Sequence, residues 1–372
     1  MKNIVVVGAG KIGSTIAEML SATGDYRVTL VDRSAAQLAT AELPAGVATQ
    51  ELDIAAAGEL EKILAGKFAV LSAAPFHLTT RIAEAAAATG VHYLDLTEDV
   101  VSTRRVKELA RDELARDAKS AFIPQCGLAP GFISIVANDL ASRFDTLESV
   151  RMRVGALPQY PSNALNYNLT WSTDGVINEY CEPCEAIVEG ELIEVPPLEE
   201  REEFSLDGVT YEAFNTSGGL GTLAETLKGK VRTLNYRTIR YPGHAAIMKA
   251  LLNDLGLRHR RDVLKDIFES ALPATLQDVV IVFVTVSGRR NGRLLQETYA
   301  NKIYSHRVGN IVRSAIQITT ASGICAVLDM LADGSLPSRG FVRQEDIALD
   351  AFLANRFGRA YAQHEMVSRL AS

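Results

Sequence analysis

Four consecutive β-branched residues, Ile4-Val5-Val6-Val7, run straight into Gly8-Ala9-Gly10-Lys11-Ile12-Gly13, and a helical pattern over 15–20 follows at once. A run of this kind reads as a strand buried on both faces. Gly8 permits the tight turn, Gly10 lets a pyrophosphate approach the backbone, and Gly13 lets helix and strand pack closely. The next strand, expected over 27–31, ends in Asp32, which lies 19 residues beyond Gly13. An acid about 20 residues on is placed to accept hydrogen bonds from an adenosine ribose. The first third of the chain is therefore expected to bind a nicotinamide dinucleotide. Asp32 would repel a 2′-phosphate, which favours NAD. Arg33 and Ser34 could hold such a phosphate, which keeps NADP open.

The alternation continues through strands expected at 48–52, 68–72, 91–95 and 121–123, with helices at 56–64, 79–88 and 106–117. Strand–helix repetition implies an α/β fold with a Rossmann-type doubly wound parallel sheet. Asp53 ends one strand on the adenine side. Ala73-Ala74-Pro75 follow another and suit a loop past the cofactor. Asp95, Thr97 and Glu98 follow a third at the carboxyl edge, where ligands bind in open sheets. These acids could serve as a base or as a helix N-cap. Cys126-Gly127-Leu128-Ala129-Pro130-Gly131 marks a sharp turn, and a helix is expected over 134–142. The character then changes to longer strands and loops. Residues 279–286 and 293–304 read as a hairpin around a turn at 288–292, and helices return at 313–332 and 344–357.

At 372 residues the chain suits about two domains, and its 47% hydrophobic content can fill sizeable cores. The net charge of −7, with no long basic run, argues against nucleic acid or an anionic membrane as partner. The apolar start is too short for a signal peptide, and no uninterrupted apolar stretch reaches ~18 residues. Four cysteines are sparse for a disulfide scaffold, so a cytoplasmic location is expected. Cys181-Glu-Pro-Cys184 lacks further ligands nearby and reads as two ordinary thiols, with no metal.

Three polar clusters stand out in the second part: 163–180, with Asp174, Glu179 and Tyr180; 212–219, with Thr216 and paired glycines; and 236–244, with Arg237, Arg240 and His244. An arginine fork clamps a carboxylate. A histidine beside it titrates near neutrality. The glycines next to Thr216 would bring backbone amides to a ligand. Charged loop faces or capped turns are the plainer readings of the same residues.

Gly8 to Gly13, Tyr93-Leu94-Asp95, Cys126 to Gly131, Thr216-Ser217-Gly218-Gly219 and Arg240-Tyr241-Pro242-Gly243-His244 together resemble the saccharopine dehydrogenase family. The likeness runs nearly end to end and is greatest to the lysine 6-dehydrogenase branch. It implies a dinucleotide domain of residues 1–130 plus about 312–372, with a substrate and dimerisation domain inserted at 131–311. That insertion would be α+β with a mixed or antiparallel sheet. A homodimer and a small amino-acid substrate are implied as well. Saccharopine reductases often carry Asp where this chain has Ala129, which puts saccharopine itself in doubt.

On this reading an amine on an amino acid is oxidised. Arg240 would hold the α-carboxylate, and His244, Asp95 or Glu98 would serve as base. Thr216 joins the catalytic set. Gly8, Gly10, Lys11, Ile12, Gly13, Asp32, Arg33, Asp53, Ala73, Ala74, Pro75, Thr97 and Cys126 would hold the cofactor. A saccharopine- or opine-type dehydrogenase would need a second cation, for which Arg237 is the candidate. A non-catalytic NAD(P) sensor is the reading from another class.

Overall fold

The computed structural model describes residues 1–363. Its first sheet is made of the buried runs. Strands β1 (Lys2–Val7), β2 (Tyr26–Asp32), β3 (Ala48–Glu51), β4 (Ala69–Ser72), β5 (His92–Asp95) and β6 (Ala121–Ile123) alternate with α1 (Lys11–Ser21), α2 (Ala35–Thr40), α3 (Glu59–Leu64), α4 (Thr79–Thr89) and α5 (Val100–Ala115). They pair in parallel in the order β6-β5-β4-β1-β2-β3. The winding reverses between β1 and β4, so a crevice opens at their carboxyl ends.

The chain then leaves this sheet through α6 (Phe132–Ala141) and builds a second one. Its elements are β7 (Thr146–Pro158), α7 (Thr173–Cys181), β8 (Cys184–Val188), β9 (Glu191–Val195), β10 (Glu202–Leu206), β11 (Val209–Asn215), α8 (Leu223–Leu227), β12 (Val231–Arg240), α9 (His244–Lys249), α10 (Arg261–Ala271), β13 (Asp278–Arg290) and β14 (Arg293–Tyr304). The eight strands run β10-β11-β12-β7-β13-β14, with β8 attached to β12 and β9 to β8. Only β12 and β7 pair in parallel, so the sheet is mixed. A small hairpin, β15 (His306–Val308) with β16 (Ile311–Arg313), leads into α11 (Ala315–Ala332). The chain then returns to the first sheet, where β17 (Gly340–Phe341) pairs with β6 as its seventh strand, before α12 (Leu349–Ala354). Residues 364–372 of the expected dinucleotide domain lie outside the described residues.

One continuous core joins the two sheets. It runs from Ile4 and Val6 of β1 through α6 and α11 to Met152 of β7 and Val282 of β13. Helix α11 is apolar and long enough to cross a membrane, yet 83% of it is buried here among protein side chains. Asp278 fixes its start: the carboxylate accepts the N–H groups of Ala315 (2.6 Å) and Ile316 (3.0 Å).

Three expectations are corrected. The hairpin turn is narrower than 288–292: β13 continues to Arg290, and Asn291-Gly292 alone turn the chain, at φ of 53° and 75°. Asn-Gly suits that left-handed pair. The helix expected over 344–357 breaks into a turn at Gln344–Asp346 and α12. Tertiary bonds override its propensity, because Gln344 donates to the Pro124 carbonyl while Glu345 accepts the hydroxyls of Thr222 and Thr226. The second part also holds the helices α7, α9 and α10 where loops were expected.

Candidate active site

A single cleft of about 660 Å³ runs from the glycine loop, past the carboxyl ends of β4 and β5, to the second sheet. Of the expected residues, Gly8, Gly10, Ile12, Asp32, Arg33, Asp53, Ala73, Ala74, Pro75, Thr97, Glu98 and Arg240 line it. The cofactor end is fitted to a dinucleotide. A Cβ on Gly8 would lie 2.7 Å from the Ala73 carbonyl, whereas one on Gly10 would stand in open space. Gly13 does its work behind the cleft, where a Cβ would come 1.8 Å from the Gly8 carbonyl. Helix α1 has no side-chain cap, and Ser14 is the first residue whose amide turns back, to Gly10. Its leading N–H groups are thus free for a pyrophosphate. Lys11 opens this helix with its side chain exposed, so its contribution there is its backbone. Asp32 is pinned at the cleft wall by the N–H groups of Ala9 (2.8 Å) and Ser34 (2.9 Å), which leaves carboxylate lone pairs for a ribose diol.

The substrate end is built by alternation along β12. Tyr236, Thr238 and Arg240 line the cleft, together with Val154 and Ala156 of the neighbouring β7. Arg237 has the other parity and points to the opposite face, where it pairs with Glu200 and Glu202. It is not the second substrate cation that the sequence suggested.

Arg240 is only 2% exposed, and its guanidinium carbon lies 5.1 Å and 5.8 Å from the ring centres of Tyr167 and Tyr180. Its Nε donates to the Tyr180 hydroxyl (2.9 Å), and Nη1 to the Thr238 hydroxyl (2.9 Å) and the Ile239 carbonyl (2.8 Å). Only Nη2 remains, so a carboxylate meets one end of the guanidinium and not an open fork. No ion pair compensates this buried charge among the described residues.

His244 is not a base. It is 1% exposed, lies off the cleft, and sits with Nδ1 2.8 Å from the Leu165 carbonyl and Nε2 3.1 Å from the Tyr180 hydroxyl. A carbonyl can only accept, so Nδ1 carries the proton and Nε2 accepts from Tyr180. Burial, aided by the Arg240 charge, pushes its pKa down to about 3. His244 therefore orients Tyr180, which in turn receives Nε–H of Arg240.

Asp95 is also off the cleft. One of its oxygens accepts the N–H groups of Gln125 and Thr97, and the other the Tyr93 hydroxyl. It ties the ends of β5 and β6 together, and although burial pushes it up to about 6, its oxygens are taken by these three donors and it does not reach the cleft. Thr216 is buried off the cleft as well, and its glycines serve packing rather than a ligand. A Cβ on Gly218 would fall 2.6 Å from the Glu98 carbonyl, and one on Gly219 2.2 Å from the Tyr236 ring. Cys126 points into the core, where its thiol donates to the Ile123 carbonyl (2.9 Å). Its neighbours Gly127 to Pro130 line the cleft in its place.

Glu98 and Thr97 do lie in the cleft at the end of β5. Burial and the charges of Asp99 and Asp95 push Glu98 up to about 7. The residue that sequence reasoning passed over is Glu179, on the last turn of α7. It stands in a cluster noted for polarity alone, and no motif marks it. It lines the cleft at 7% exposure, and burial, with the Glu98 charge acting in the same direction, pushes it up to about 8. Asp174 lines the cleft too but is paired with Lys265.

Known proteins share this architecture. Residues 4–123 match the sequence profile of the saccharopine dehydrogenase NADP binding domain, and residues 127–358 that of the saccharopine dehydrogenase C-terminal domain. The chain is 25% identical over 184 residues to the saccharopine dehydrogenase [NADP(+), L-glutamate-forming] of Saccharomyces cerevisiae, covering 47% of this chain and 40% of that enzyme. It is 22% identical over 322 residues to the mitochondrial alpha-aminoadipic semialdehyde synthase of Bos taurus, covering 81% of this chain and 33% of that protein. It thus spans at most two fifths of these relatives' length. Among solved structures, apo saccharopine dehydrogenase (L-Glu forming) from Saccharomyces cerevisiae superposes with a TM-score of 0.76 at 17% identity, over 95% of this chain and 97% of that one. Homospermidine synthase from Legionella pneumophila, in complex with NAD, gives 0.65 at 12% identity, over 98% and 90%. The chain belongs to the saccharopine dehydrogenase family, and its first sheet is that family's NADP binding domain.

Proposed function

We propose that this enzyme oxidises a primary amine on an amino acid, the 6-amino group of L-lysine, with NAD as acceptor. One observation carries the reading. The substrate end of the cleft holds one buried guanidinium, Arg240, which forms no ion pair among the described residues, and two carboxyl groups, Glu98 and Glu179. That pattern complements a ligand with a carboxylate and an ammonium.

The charges also weigh against saccharopine, which carries several carboxylates. Among the described residues lining the cleft, Arg33 and Arg240 are the only arginines or lysines, and Arg33 stands at the adenine end beside Asp32. A polyamine would bring no carboxylate to the open Nη2 of Arg240.

When bound, the nicotinamide supplies the hydride acceptor. The residues around it do the rest. Arg240 holds the carboxylate through Nη2, with Tyr180 and His244 fixing its plane. An ammonium has no lone pair, so a base must remove a proton before its carbon can be oxidised. Glu98, on the loop after β5, is placed for this, with its proton affinity already near neutrality. Water then hydrolyses the imine. A homodimer is part of this reading, and light scattering on the purified protein tests it.

The deciding experiment is NAD and NADP reduction against basic amino acids, saccharopine and polyamines. L-Lysine is expected to yield NADH and saccharopine is not. Arg240→Ala should lower kcat/KM by about 100-fold, as for loss of a charged hydrogen bond, while NADH binding is retained. Unchanged turnover in that variant would reject the role given to Arg240.

A further inference from the structure

Buried carboxylates elsewhere in the protein are saturated. Glu212 accepts the N–H groups of Gly243 and Ala245, Glu345 two threonine hydroxyls, Asp278 two helix amides, and Glu18 the Arg313 guanidinium. Glu179 is as buried as Glu18, each being 7% exposed, but among the described residues no hydrogen bond or ion pair reaches its carboxyl group. It is open only towards the cleft that it lines. An unpartnered buried carboxylate costs free energy unless it is protonated or awaits a donor.

None of the groups around Glu179 donates a hydrogen bond to it in this structure, although the Tyr167 hydroxyl is itself without a partner among the described residues. The groups that act on Glu179 are Glu98 across the cleft, Arg240 on β12, the hydroxyls of Tyr167, Tyr180 and Tyr236, and the Cys184 thiol on β8. Glu98 in turn feels Asp99 and Asp95 on its own loop. Arg240 is the one cation in this set, and its hydrogen bonds go to Tyr180, Thr238 and Ile239 and not to Glu179. Two carboxylates here exceed the positive charge available, and like charges at close range cannot both ionise cheaply.

We propose that Glu98 and Glu179 form one cation subsite, which holds a single proton between them while empty and releases it to solvent when a primary ammonium enters. The two oxygen pairs then take the place of the ammonium's hydration shell. In the next step an N–H bond of the ammonium breaks and an O–H bond forms on one carboxylate, with the electron pair left on nitrogen. Burial holds both groups in the neutral range, helped by Asp99 and Asp95 at Glu98, which stands at about 7, and by Glu98 at Glu179, which stands at about 8. The Gly218 backbone is packed against the backbone of Glu98 and fixes the position of that loop. The identity of the ligand rests on the amine reading above; the shared proton does not.

Carbon-13 NMR of protein labelled at glutamate carboxyls tests this without any substrate. Signals missing in Glu98→Gln and in Glu179→Gln assign the pair, with Glu98→Asp and Glu179→Asp as replacements if either Gln variant fails to fold. Both signals are expected to titrate near neutrality, well above the other glutamates, and the Glu179 midpoint should fall in Glu98→Gln. Added L-lysine should move both midpoints down. Midpoints in the ordinary carboxylate range, or a Glu179 midpoint indifferent to Glu98, would overturn the shared proton. A shared proton with no response to lysine, methylamine or a diamine would overturn the cation subsite. Absence of NADH from the amine panel bears on the reaction alone.

Discussion

His244 shows how far a side chain's role depends on what its neighbours can accept. Its ring is fixed by a carbonyl on one side and a phenol on the other, so it stays neutral in the fold. His244→Ala is expected to raise KM for the amine and lower thermal stability, while the acid limb of the pH–rate profile stays in place. A shift of that limb would make the histidine a titrating base after all. The limb is assigned to the glutamates: in Glu98→Gln, loss of a neighbouring negative charge should move the remaining limb to lower pH. Asp32, held by two backbone amides at the ribose position, should set the nucleotide. Asp32→Ser is expected to cut the kcat/KM preference for NAD over NADP by about 10-fold or more, in steady-state kinetics with each cofactor. The glycine loop and Asp32 were legible because their spacing is a backbone requirement. Glu179 was not, because its significance lies in the partners it lacks, and a sequence records no missing contacts. Arg237 was misread for a simpler reason: in a strand it has the wrong parity to join Arg240.

At the scale of elements, short strong patterns translated well and long weak ones did not. The hairpin partner Arg293–Tyr304 has the bounds expected for it, although the turn before it is tighter than expected. The helix expected over 344–357 fails because Gln344 and Glu345 bond to distant loops, which no periodicity announces. The glycines after Thr216 were visible, but only the structure shows that they make room for the Tyr236 ring and the Glu98 backbone. Gly219→Ala should therefore push Tyr236 into the cleft. It is expected to reduce amine turnover more than NADH affinity, with a loss of ~1–3 kcal/mol in denaturant unfolding. Asp278 acts on a whole helix, since its carboxylate receives the first two amides of α11. Asp278→Ala should cost ~1–2 kcal/mol by the same measurement.

For the whole molecule, stability should depend on pH in an unusual direction. Glu98 and Glu179 bind protons more tightly folded than unfolded, at about 7 and about 8. Between the unfolded carboxylate range and pH 8 the native state thus holds more protons, and stability falls as pH rises. His244 opposes this only below its unfolded pKa, ~6.5, where the unfolded chain gains a proton that the native state, at about 3, does not. The melting temperature is expected to fall from pH 6.5 to 8.5, and Glu179→Gln should flatten that slope; a melting temperature that rises over this interval would contradict it. The course of the chain carries a last consequence. The cleft needs Ile316 and Thr320 of α11 as well as the glycine loop, and β6 acquires its outer neighbour only from β17. On the ribosome the nucleotide half emerges early yet stays unfinished until the second sheet has been synthesised. A nascent chain cut short before α11 should accordingly have no competent dinucleotide site, so cofactor capture reports that translation has passed the inserted domain.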